Sequence, residues 1–273
     1  MNKEYVCRRE NFELKLSMKD DNFMSTKNPS HKNWGIDRAM GEISDDLLHL
    51  DEVSKRFVVG SERQAIQEEW VSSQAKYDDT QLIIDGQQVM QDWERPYMEA
   101  MAKVVAENQG DVLEIGFGMA ISASYMLSYN PRSYTVIECN EGVKKEFELW
   151  QSKYPNNKTS LVFGKWQDVI GQLGLFDGIF FDTYPLSEEE FSDHVINDVT
   201  FGAHFFEAAS QHLRKGGVFS YYSNEIDSIS RRHQRKLLKY FDRVEFSVVN
   251  NLFPPEDCNY WWADSMVLVK AIK

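Results

Sequence analysis

The segment Asp111–Ala120, which reads DVLEIGFGMA, places the tightest constraint on how this chain can fold. A short apolar run leads into two glycines, Gly116 and Gly118, and then into residues that can begin a helix. This order is typical of a buried parallel strand that turns sharply into a helix. Because glycine has no Cβ, the backbone at such a turn can approach a ligand closely.

After this segment, runs typical of strands alternate with runs typical of helices. The predicted strands are Val112–Ile115, Tyr134–Ile137, Ser160–Phe163, Phe176–Phe181, Gly217–Tyr222, Arg243–Val249 and Met266–Lys270. The predicted helices are Ile121–Ser128, Gly142–Tyr154, Trp166–Leu173, Glu188–Leu213 and Ser228–Phe241. This alternation predicts an α/β fold with a doubly wound, mostly parallel sheet, in which the last two strands form an antiparallel pair at the edge. Ligands of such sheets bind outside the carboxyl ends of the strands.

Glu138 ends the second predicted strand and suggests what the glycine loop binds. It follows the loop by about 20 residues, the distance at which an acidic residue grips the ribose of an adenosine-containing cofactor. The third glycine of the dinucleotide fingerprint is absent, since Ala120-Ile121-Ser122 stands in its place. We expect an adenosine-containing cofactor, with an ordinary tight turn and a surface glutamate as the alternative.

The overall charge and the cysteines limit the kinds of binding partner and cellular compartment that we expect. A formal net charge of −13 argues against a nucleic-acid partner, which needs a basic face. The three cysteines, Cys7, Cys139 and Cys258, are far apart and have no metal-ligand spacing, so we expect a reduced cytoplasmic protein without a metal site. No apolar run approaches the length needed to span a membrane.

Residues 1–60 are polar and mixed in charge, and we expect them to form a partly mobile extension that lies over an active site or against a second subunit. Asp37–Val59 could hold one or two short helices. The main domain is expected over residues 61–273. It would begin with a helix over Ser61–Ala75, a short strand over Leu82–Ile84 and an amphipathic helix over Gln88–Glu107 that is interrupted near Pro96.

Two acidic residues are candidates for chemistry. Asp182 and Tyr184 follow the fourth predicted strand, where a carboxylate could serve as a base or hold a cation. Alternatively, Asp182 caps the next helix and Tyr184 packs. Met90, Glu94 and Met98 are each four residues apart, so on a helix they would share one face suited to a flat, cationic or sulfur-bearing ligand. The alternative is that both methionines belong to the core, with Glu94 at its rim.

Trp166 and Gln167 follow the third predicted strand. Trp166 could stack on an adenine while Gln167 or Asp168 bonds its amine, or Trp166 could be a core tryptophan.

These motifs together resemble the family of guanidinoacetate N-methyltransferase and its relative, the fungal protein arginine δ-N-methyltransferase. The resemblance runs from Trp70 to the C-terminus. It rests on Trp70 with Tyr77, Met90-x-x-Trp93-Glu94-x-Pro96-Tyr97-Met98, Leu113-Glu114-x-Gly116-Phe117-Gly118-Met119-Ala120-Ile121, Ile137-Glu138-Cys139-Asn140, Asp182-Thr183-Tyr184-Pro185-Leu186-Ser187-Glu188-Glu189, Leu213-x-x-Gly216-Gly217-Val218 and Pro254-Pro255-x-Asp257-Cys258-x-Tyr260.

The resemblance implies a Rossmann-like class I methyltransferase domain that uses S-adenosyl-L-methionine. The residues it implies for the cofactor are Trp70, Tyr77, Met90, Met98, Gly116, Phe117, Gly118, Met119, Ala120, Ile121, Glu138, Cys139, Asn140, Trp166, Gln167 and Asp182. Glu94 and Asp182 would hold the substrate guanidinium, and Glu94, Asp182 and Tyr184 are the candidate catalytic residues. Asp182 is the candidate base.

The chain departs from the guanidinoacetate N-methyltransferase pattern in two places. Gln167 stands where that enzyme has glutamate. Ser223-Asn224-Glu225-Ile226-Asp227 stands where it has Asn-Leu-Thr-Ser near the substrate carboxylate. Ser223, Asn224 and Glu225 are therefore candidate substrate contacts, and two acids at this place would repel guanidinoacetate.

The first hypothesis is a small-molecule guanidino N-methyltransferase, acting as a monomer or homodimer on a guanidinoacetate-like or arginine-like substrate. The second is an enzyme for arginine in a peptide or protein. A deep pocket sealed by the N-terminal segment favours the first, and an open acidic channel favours the second. A catalytically silent cofactor-binding module and a nicotinamide-dependent enzyme are the remaining alternatives.

Overall fold

The computed structural model describes residues 4–9, 12–17, 65–66 and 69–273. By its internal contacts the chain divides into two units, Met1–Ser44 and Asp45–Lys273. In the first unit, strands β1 (Glu4–Arg9) and β2 (Phe12–Ser17) form an antiparallel hairpin. The sequence analysis missed this hairpin, although apolar and polar residues alternate along β2 as they do in strands. The expected lid and the helices expected within Asp37–Val59 lie outside the described residues.

The second unit is built on a seven-stranded sheet. Its strands are β6 (Asp111–Ile115), β7 (Ser133–Glu138), β8 (Thr159–Phe163), β9 (Phe176–Phe181), β10 (Leu213–Tyr221), β11 (Arg243–Asn250) and β12 (Ser265–Ile272). They lie in the order β11-β12-β10-β9-β6-β7-β8. Strands β8, β7, β6, β9 and β10 are parallel, and β12 is antiparallel to both β10 and β11. The α/β fold and the final antiparallel pair are confirmed, with the antiparallel strand one place in from the edge.

Both faces of the sheet are covered, as in other parallel sheets. The helices of this unit are α1 (Arg95–Ala106), α2 (Ile121–Ser128), α3 (Glu141–Gln151), α4 (Trp166–Val169), α5 (Glu188–Glu190), α6 (Phe206–His212) and α7 (Arg231–Leu238). Alternate residues of a strand enter opposite cores: Phe180 joins the core that includes α1 to α3, whereas Ile179 and Phe181 join the core that includes α6 and α7. No helix among the described residues is long and apolar enough to cross a membrane.

The region before the glycine loop differs from the sequence prediction. Residues 69–73 form turns, and the chain then forms a three-stranded antiparallel sheet instead of completing the expected Ser61–Ala75 helix. Its strands are β3 (Ala75–Tyr77), β4 (Gln81–Ile84) and β5 (Gln87–Gln91). The turn between β4 and β5 is Asp85-Gly86, with φ angles of +50° and +75°. Asp-Gly in this conformation is a strong hairpin signal, which outweighs the helical spacing that follows it.

The expected helix over Gln88–Glu107 is therefore wrong in its first part. The chain leaves β5, makes a 3₁₀ turn over Asp92–Glu94 and enters α1, with Pro96 in the first helical turn, where its missing N–H costs nothing. Met90 lies on β5, Glu94 ends the 3₁₀ turn and Met98 lies in α1, so the three do not share a helix face.

The helix expected over Glu188–Leu213 is broken into short pieces. They are α5, a π-helical turn over Phe191–Ile196, a 3₁₀ turn over Phe201–Phe205, and α6. Between them the Asp198 side chain accepts a hydrogen bond from the backbone N–H of Val199 at 2.7 Å. Such local bonds compete with helix formation.

Helix α1 packs closely on the sheet at Gly178 of β9, and this contact generates a stability prediction. A Cβ at this position would lie 2.0 Å from the carbonyl oxygen of Val105 in α1, so backbone would have to move. We expect Gly178→Ala to lower the free energy of unfolding by about 1–3 kcal/mol, the usual cost of overpacking. Urea unfolding of the full chain measures it. The matched control is Gly174→Ala, because a Cβ there meets nothing within 4 Å. Equal midpoints for the two variants would contradict the prediction.

Candidate functional site

Two cavities adjoin at the carboxyl edge of the parallel strands. The first, here called the glycine-loop cavity, is lined by the loop after β6, the end of β7 and the start of α4. The second, here called the two-acid cavity, is lined by Glu94 and by the segments that follow β9 and β10. Both cavities share Asp182, Thr183 and Tyr184. Whatever occupies one cavity therefore lies next to whatever occupies the other.

Gly116 is required where the loops after β6 and β9 meet. Its φ is +87°, and a Cβ would lie 2.0 Å from the backbone oxygen of Asp182. Gly118 also has a positive φ, +53°, and a Cβ there would lie 2.8 Å from the sulfur of Met90. Any side chain at either position would thus push the glycine loop away from Asp182 or Met90, and strain the backbone as well.

Glu138 lines the glycine-loop cavity and is held by backbone donors. Its Oε1 accepts from the N–H groups of Cys139 and Asn140 at 2.7 and 2.8 Å, and its Oε2 accepts from Phe117 at 3.1 Å. A carboxylate has about four acceptor sites, so at least one remains for a ligand hydroxyl. Burial raises the pKa of Glu138, while the backbone bonds oppose that shift. The site fits the ribose of an adenosyl cofactor.

Most residues expected to bind the cofactor line the glycine-loop cavity: Trp70, Met90, Gly116, Phe117, Gly118, Glu138, Cys139, Trp166, Gln167 and Asp182. The ring of Trp70 stacks on that of Tyr184, with centroids 5.2 Å apart and planes 3° apart. Trp166 lines the cavity and also packs edge-on against Phe205 in the core. The two roles considered for Trp166 are therefore compatible.

The other residues of the expected cofactor set are not among the lining residues of this cavity: Tyr77, Met98, Met119, Ala120, Ile121 and Asn140. Tyr77 donates its hydroxyl to the carbonyl of Gly118 at 3.1 Å, which fastens β3 to the glycine loop. Met98 is fully buried in the core.

Asn140 is buried and connects two segments. Its Nδ2 donates to the carbonyls of Trp70 and Ser73 at 2.8 and 2.9 Å, and its Oδ1 caps α3 by accepting from Gly142 and Val143. The side chain thus holds the segment that carries Trp70 against the end of β7. Its contacts are with protein backbone.

Glu94 is the more deeply buried of the two acids, at 2% exposed. Its Oε1 accepts from the hydroxyl of Tyr260 at 2.6 Å and from the backbone N–H of Gln91 at 2.9 Å. Burial raises the pKa of Glu94, and the negative charge of Asp182 raises it further. Burial also raises the pKa of Asp182. The two carboxyl groups are therefore close enough to repel each other when both are charged.

The two-acid cavity has no cation of its own in the part of the chain that the structure describes. No Lys, Arg or His side chain belongs to its described lining, which includes Tyr222, Tyr260 and Asn224. Two buried carboxyl groups that repel each other are suited to a ligand that brings positive charge. A guanidinium presents its N–H donors in a planar fork, which matches carboxylates in paired hydrogen bonds.

Tyr184 lines both cavities. Its hydroxyl donates to the side-chain oxygen of Gln87 at 3.0 Å, and its ring stacks on Trp70. These contacts give Tyr184 a packing role between the cavities.

Of the three expected substrate contacts after β10, Asn224 lines the two-acid cavity, and Ser223 and Glu225 are not among its lining residues. The hydroxyl of Ser223 donates to the carbonyl of Val267 at 2.7 Å. Glu225 is buried and lies 2.9 Å from Nδ1 of His233 in α7. Glu225 is therefore not placed to repel a substrate carboxylate in this cavity.

Sequence reasoning missed several lining residues, namely Tyr222, Tyr260, Asn259, Gln88 and His204. Tyr260 belongs to the last of the family motifs, which was the available signal. No feature of the sequence marked His204 as a lining residue. Burial lowers the pKa of His204 to about 4. Among the described residues, no group of three or more His, Cys, Asp or Glu side chains is placed to hold a metal ion.

Comparison with known proteins identifies the family of this chain. A model of the family described as guanidinoacetate N-methyltransferase matches residues 58–273. Protein arginine N-methyltransferase 2 from Saccharomyces cerevisiae is 28% identical over 184 residues, which are 60% of this chain and 41% of that protein. Its namesake from Yarrowia lipolytica is 31% identical over 160 residues, which are 54% of this chain and 31% of that protein. The chain thus spans less than half the length of these relatives.

Among solved structures, spermidine synthase from Thermotoga maritima superposes with a TM-score of 0.51 at 17% identity, covering 73% of this chain and 72% of that one. This likeness shows the fold alone. The family match confirms the family that the sequence motifs indicated.

The bonds of Asn140 generate a stability prediction. Asn140→Ala removes the cap of α3 and two side-chain bonds to the Trp70–Ser73 segment. We expect the free energy of unfolding to fall by about 2–4 kcal/mol, the sum of a cap and two buried hydrogen bonds. Urea unfolding measures it, and Asn156→Ala, in the exposed turn after α3, is the control. A loss below about 0.5 kcal/mol, typical of a surface change, would contradict the role assigned to Asn140.

Proposed function

This chain belongs to the guanidinoacetate N-methyltransferase family, and from that premise we propose that it transfers a methyl group from S-adenosylmethionine to a guanidino nitrogen. The observation that carries the proposal is the meeting of the two cavities at Asp182. One cavity has the glycine loop and the acid suited to an adenosyl group. The other has two carboxyl groups suited to a guanidinium.

The cofactor fits the glycine-loop cavity. Glu138 would accept the ribose hydroxyls, the loop from Gly116 to Gly118 would let the ligand approach the backbone, and Trp166 with Gln167 would hold the adenine. When bound, S-adenosylmethionine supplies a methyl group attached to a positively charged sulfur. Trp70 and Met90 complete the apolar wall and exclude water from it.

Glu94 and Asp182 would hold the substrate between them. A guanidinium has a pKa of roughly 12.5–13.8, so it arrives protonated and is a poor nucleophile. Paired bonds to two fixed carboxylates would aim one nitrogen at the shared wall of the cavities. Asp182 belongs to that wall, and its raised pKa suits it to accept the proton that the nitrogen loses on methylation. Tyr260 holds Glu94 in place meanwhile.

The class of substrate follows from charge. Guanidinoacetate brings a carboxylate close to its guanidinium, and the described lining of the two-acid cavity offers no cation to offset that charge. An arginine side chain within a peptide brings an uncharged tail. This favours the second hypothesis, an enzyme for peptide or protein arginine, and the names of the relatives support it. The small-molecule hypothesis then fits best a guanidine with a neutral or cationic tail.

The location proposed is the cytoplasm. Cys139 and Cys258 are both free thiols, which agrees with a reducing compartment.

A turnover assay with methyl-labelled S-adenosylmethionine tests the proposal. The acceptors are guanidinoacetate, free arginine, agmatine and an arginine peptide with blocked ends. We expect the peptide and agmatine to accept label with a kcat/KM at least about tenfold above guanidinoacetate, which corresponds to about 1.4 kcal/mol of charge repulsion. Label in guanidinoacetate alone would overturn the substrate class, and label in no guanidino compound would overturn the function.

Replacing either acid by its amide keeps its shape and removes its charge. Each variant would leave the buried substrate guanidinium without one of its two carboxylate partners. Removing one partner of a buried charge pair costs several kcal/mol, so Glu94→Gln and Asp182→Asn should each lower kcat/KM by about a hundredfold or more. Asp182→Asn should show the larger fall in kcat, because it also removes the base. Glu189→Gln, on an exposed residue after Asp182, is the control. Near-normal turnover of Asp182→Asn on every acceptor would refute the proposal that Glu94 and Asp182 hold the guanidinium between them.

The raised pKa values of Glu94 and Asp182 predict an unusual acid limb. Once protonated, these groups are neutral and no longer hold a cation, so activity is lost as pH falls through their pKa values. Because both values are raised, kcat/KM should begin to fall well above pH 4, where ordinary carboxyl groups titrate at about 3.9–4.3. A pH profile of kcat/KM measures this, with enzyme stability followed in parallel. A profile that stays flat down to pH 5 in folded enzyme would disagree.

A further inference from the structure

Tyr222 follows directly on β10 and faces the proposed substrate. Its backbone N–H donates to the carbonyl of Phe181 at 3.2 Å, which sets it beside the end of β9, where Asp182 comes next. Its side chain lines the two-acid cavity together with Glu94 and Asp182. Burial raises the pKa of Tyr222, and the charges of both acids raise it further, which keeps the phenol neutral.

The hydroxyl of Tyr222 is buried and has no hydrogen-bond partner among the residues that the structure describes. Nearby phenols are already engaged: Tyr97 donates to the carbonyl of Val267 at 2.8 Å, and Tyr260 donates to Glu94. The Tyr222 ring itself is held edge-on against Tyr97, with centroids 5.5 Å apart. A buried hydroxyl without a partner is rare in folded proteins and calls for a ligand or another explanation.

We propose that the Tyr222 hydroxyl is a third contact for the substrate guanidinium, accepting an N–H that Glu94 and Asp182 leave unpaired. An alkylated guanidinium has five N–H donors and no acceptor. Two carboxylates in paired bonds take about four of them. The phenol oxygen takes the remaining one. This inference rests on the proposed function and adds a substrate-binding residue to it.

The arrangement separates this role from a structural one. Removing the hydroxyl in Tyr222→Phe breaks no hydrogen bond within the described protein. The variant should therefore be at least as stable as the wild type, because a buried polar group without a partner has been removed. Its affinity for substrate should nevertheless fall. A tyrosine that mattered only for packing would leave the affinity for substrate unchanged.

The experiment compares the full chain with Tyr222→Phe and with Tyr154→Phe, a control whose ring packs on Trp150, away from both cavities. Three quantities are measured: KM for the best guanidino acceptor, the dissociation constant for S-adenosylhomocysteine, and the thermal midpoint. We expect Tyr222→Phe to raise KM about tenfold, with unchanged cofactor affinity and an equal or higher midpoint. Tyr154→Phe should leave KM and cofactor affinity unchanged.

Two results would overturn the inference while leaving the proposed function intact: a KM within twofold of wild type, or a lower midpoint with cofactor affinity lost in parallel. If the wild type methylates no acceptor, the dissociation constant of agmatine, measured by calorimetry on wild type and variant, takes the place of KM. Wild type that binds no agmatine would overturn the proposed function and this inference together.

Discussion

The carboxyl groups of Glu94 and Asp182 line the same cavity, and much of the surrounding structure serves to hold them there. Burial raises the cost of charging either acid, and the charge of Asp182 adds to that cost for Glu94, as the raised pKa values of the two groups record. The surroundings fix their positions without neutralising them. Glu94 is held by the phenol of Tyr260 and the backbone of Gln91, and Asp182 is held through its backbone N–H to Ile115 at 3.0 Å. The guanidinium that we propose as the substrate would offset that cost.

The rest of the unit brings these acids together from distant parts of the chain. Asp182 comes from the end of a central strand, and only glycine at position 116 leaves room for its backbone. Glu94 comes from the segment before the sheet, where the hairpin of β4 and β5 leads into a 3₁₀ turn. Asp182 lies against the glycine loop and also lines the two-acid cavity together with Glu94. The proposed site for the methyl donor and the proposed site for the guanidinium therefore share the wall that Asp182 forms.

The sequence predicted the parts of this arrangement that depend on local pattern. The order of strands and helices after Asp111, the glycine loop and Glu138 could be found because apolar runs, turn residues and spacing are local. Before Asp111, the strand expected over Leu82–Ile84 is confirmed by β4. The helix expected from Gln88 was wrong in its first part, because Met90, Glu94 and Met98 match a helical period, whereas the Asp85-Gly86 turn that places Met90 on a strand lies outside that pattern.

The direction in which side chains point was harder to predict from the sequence than the order of the strands and helices. Ser223 and Glu225 follow a strand end as Asn224 does, yet their partners, Val267 and His233, turn them into the protein. No local feature marks those partners. Tyr260 reaches Glu94 from the other end of the chain, a contact that only the folded structure reveals.

The most direct test of the account is a crystal structure of the protein with S-adenosylhomocysteine and agmatine bound together. We expect the guanidinium to lie between the carboxylates of Glu94 and Asp182, with one nitrogen facing the cofactor sulfur across the shared wall. The gap should allow an intervening methyl carbon to sit at about 3–3.5 Å from that nitrogen. A guanidinium that binds outside the two-acid cavity, or that turns its nitrogens away from the sulfur, would contradict it.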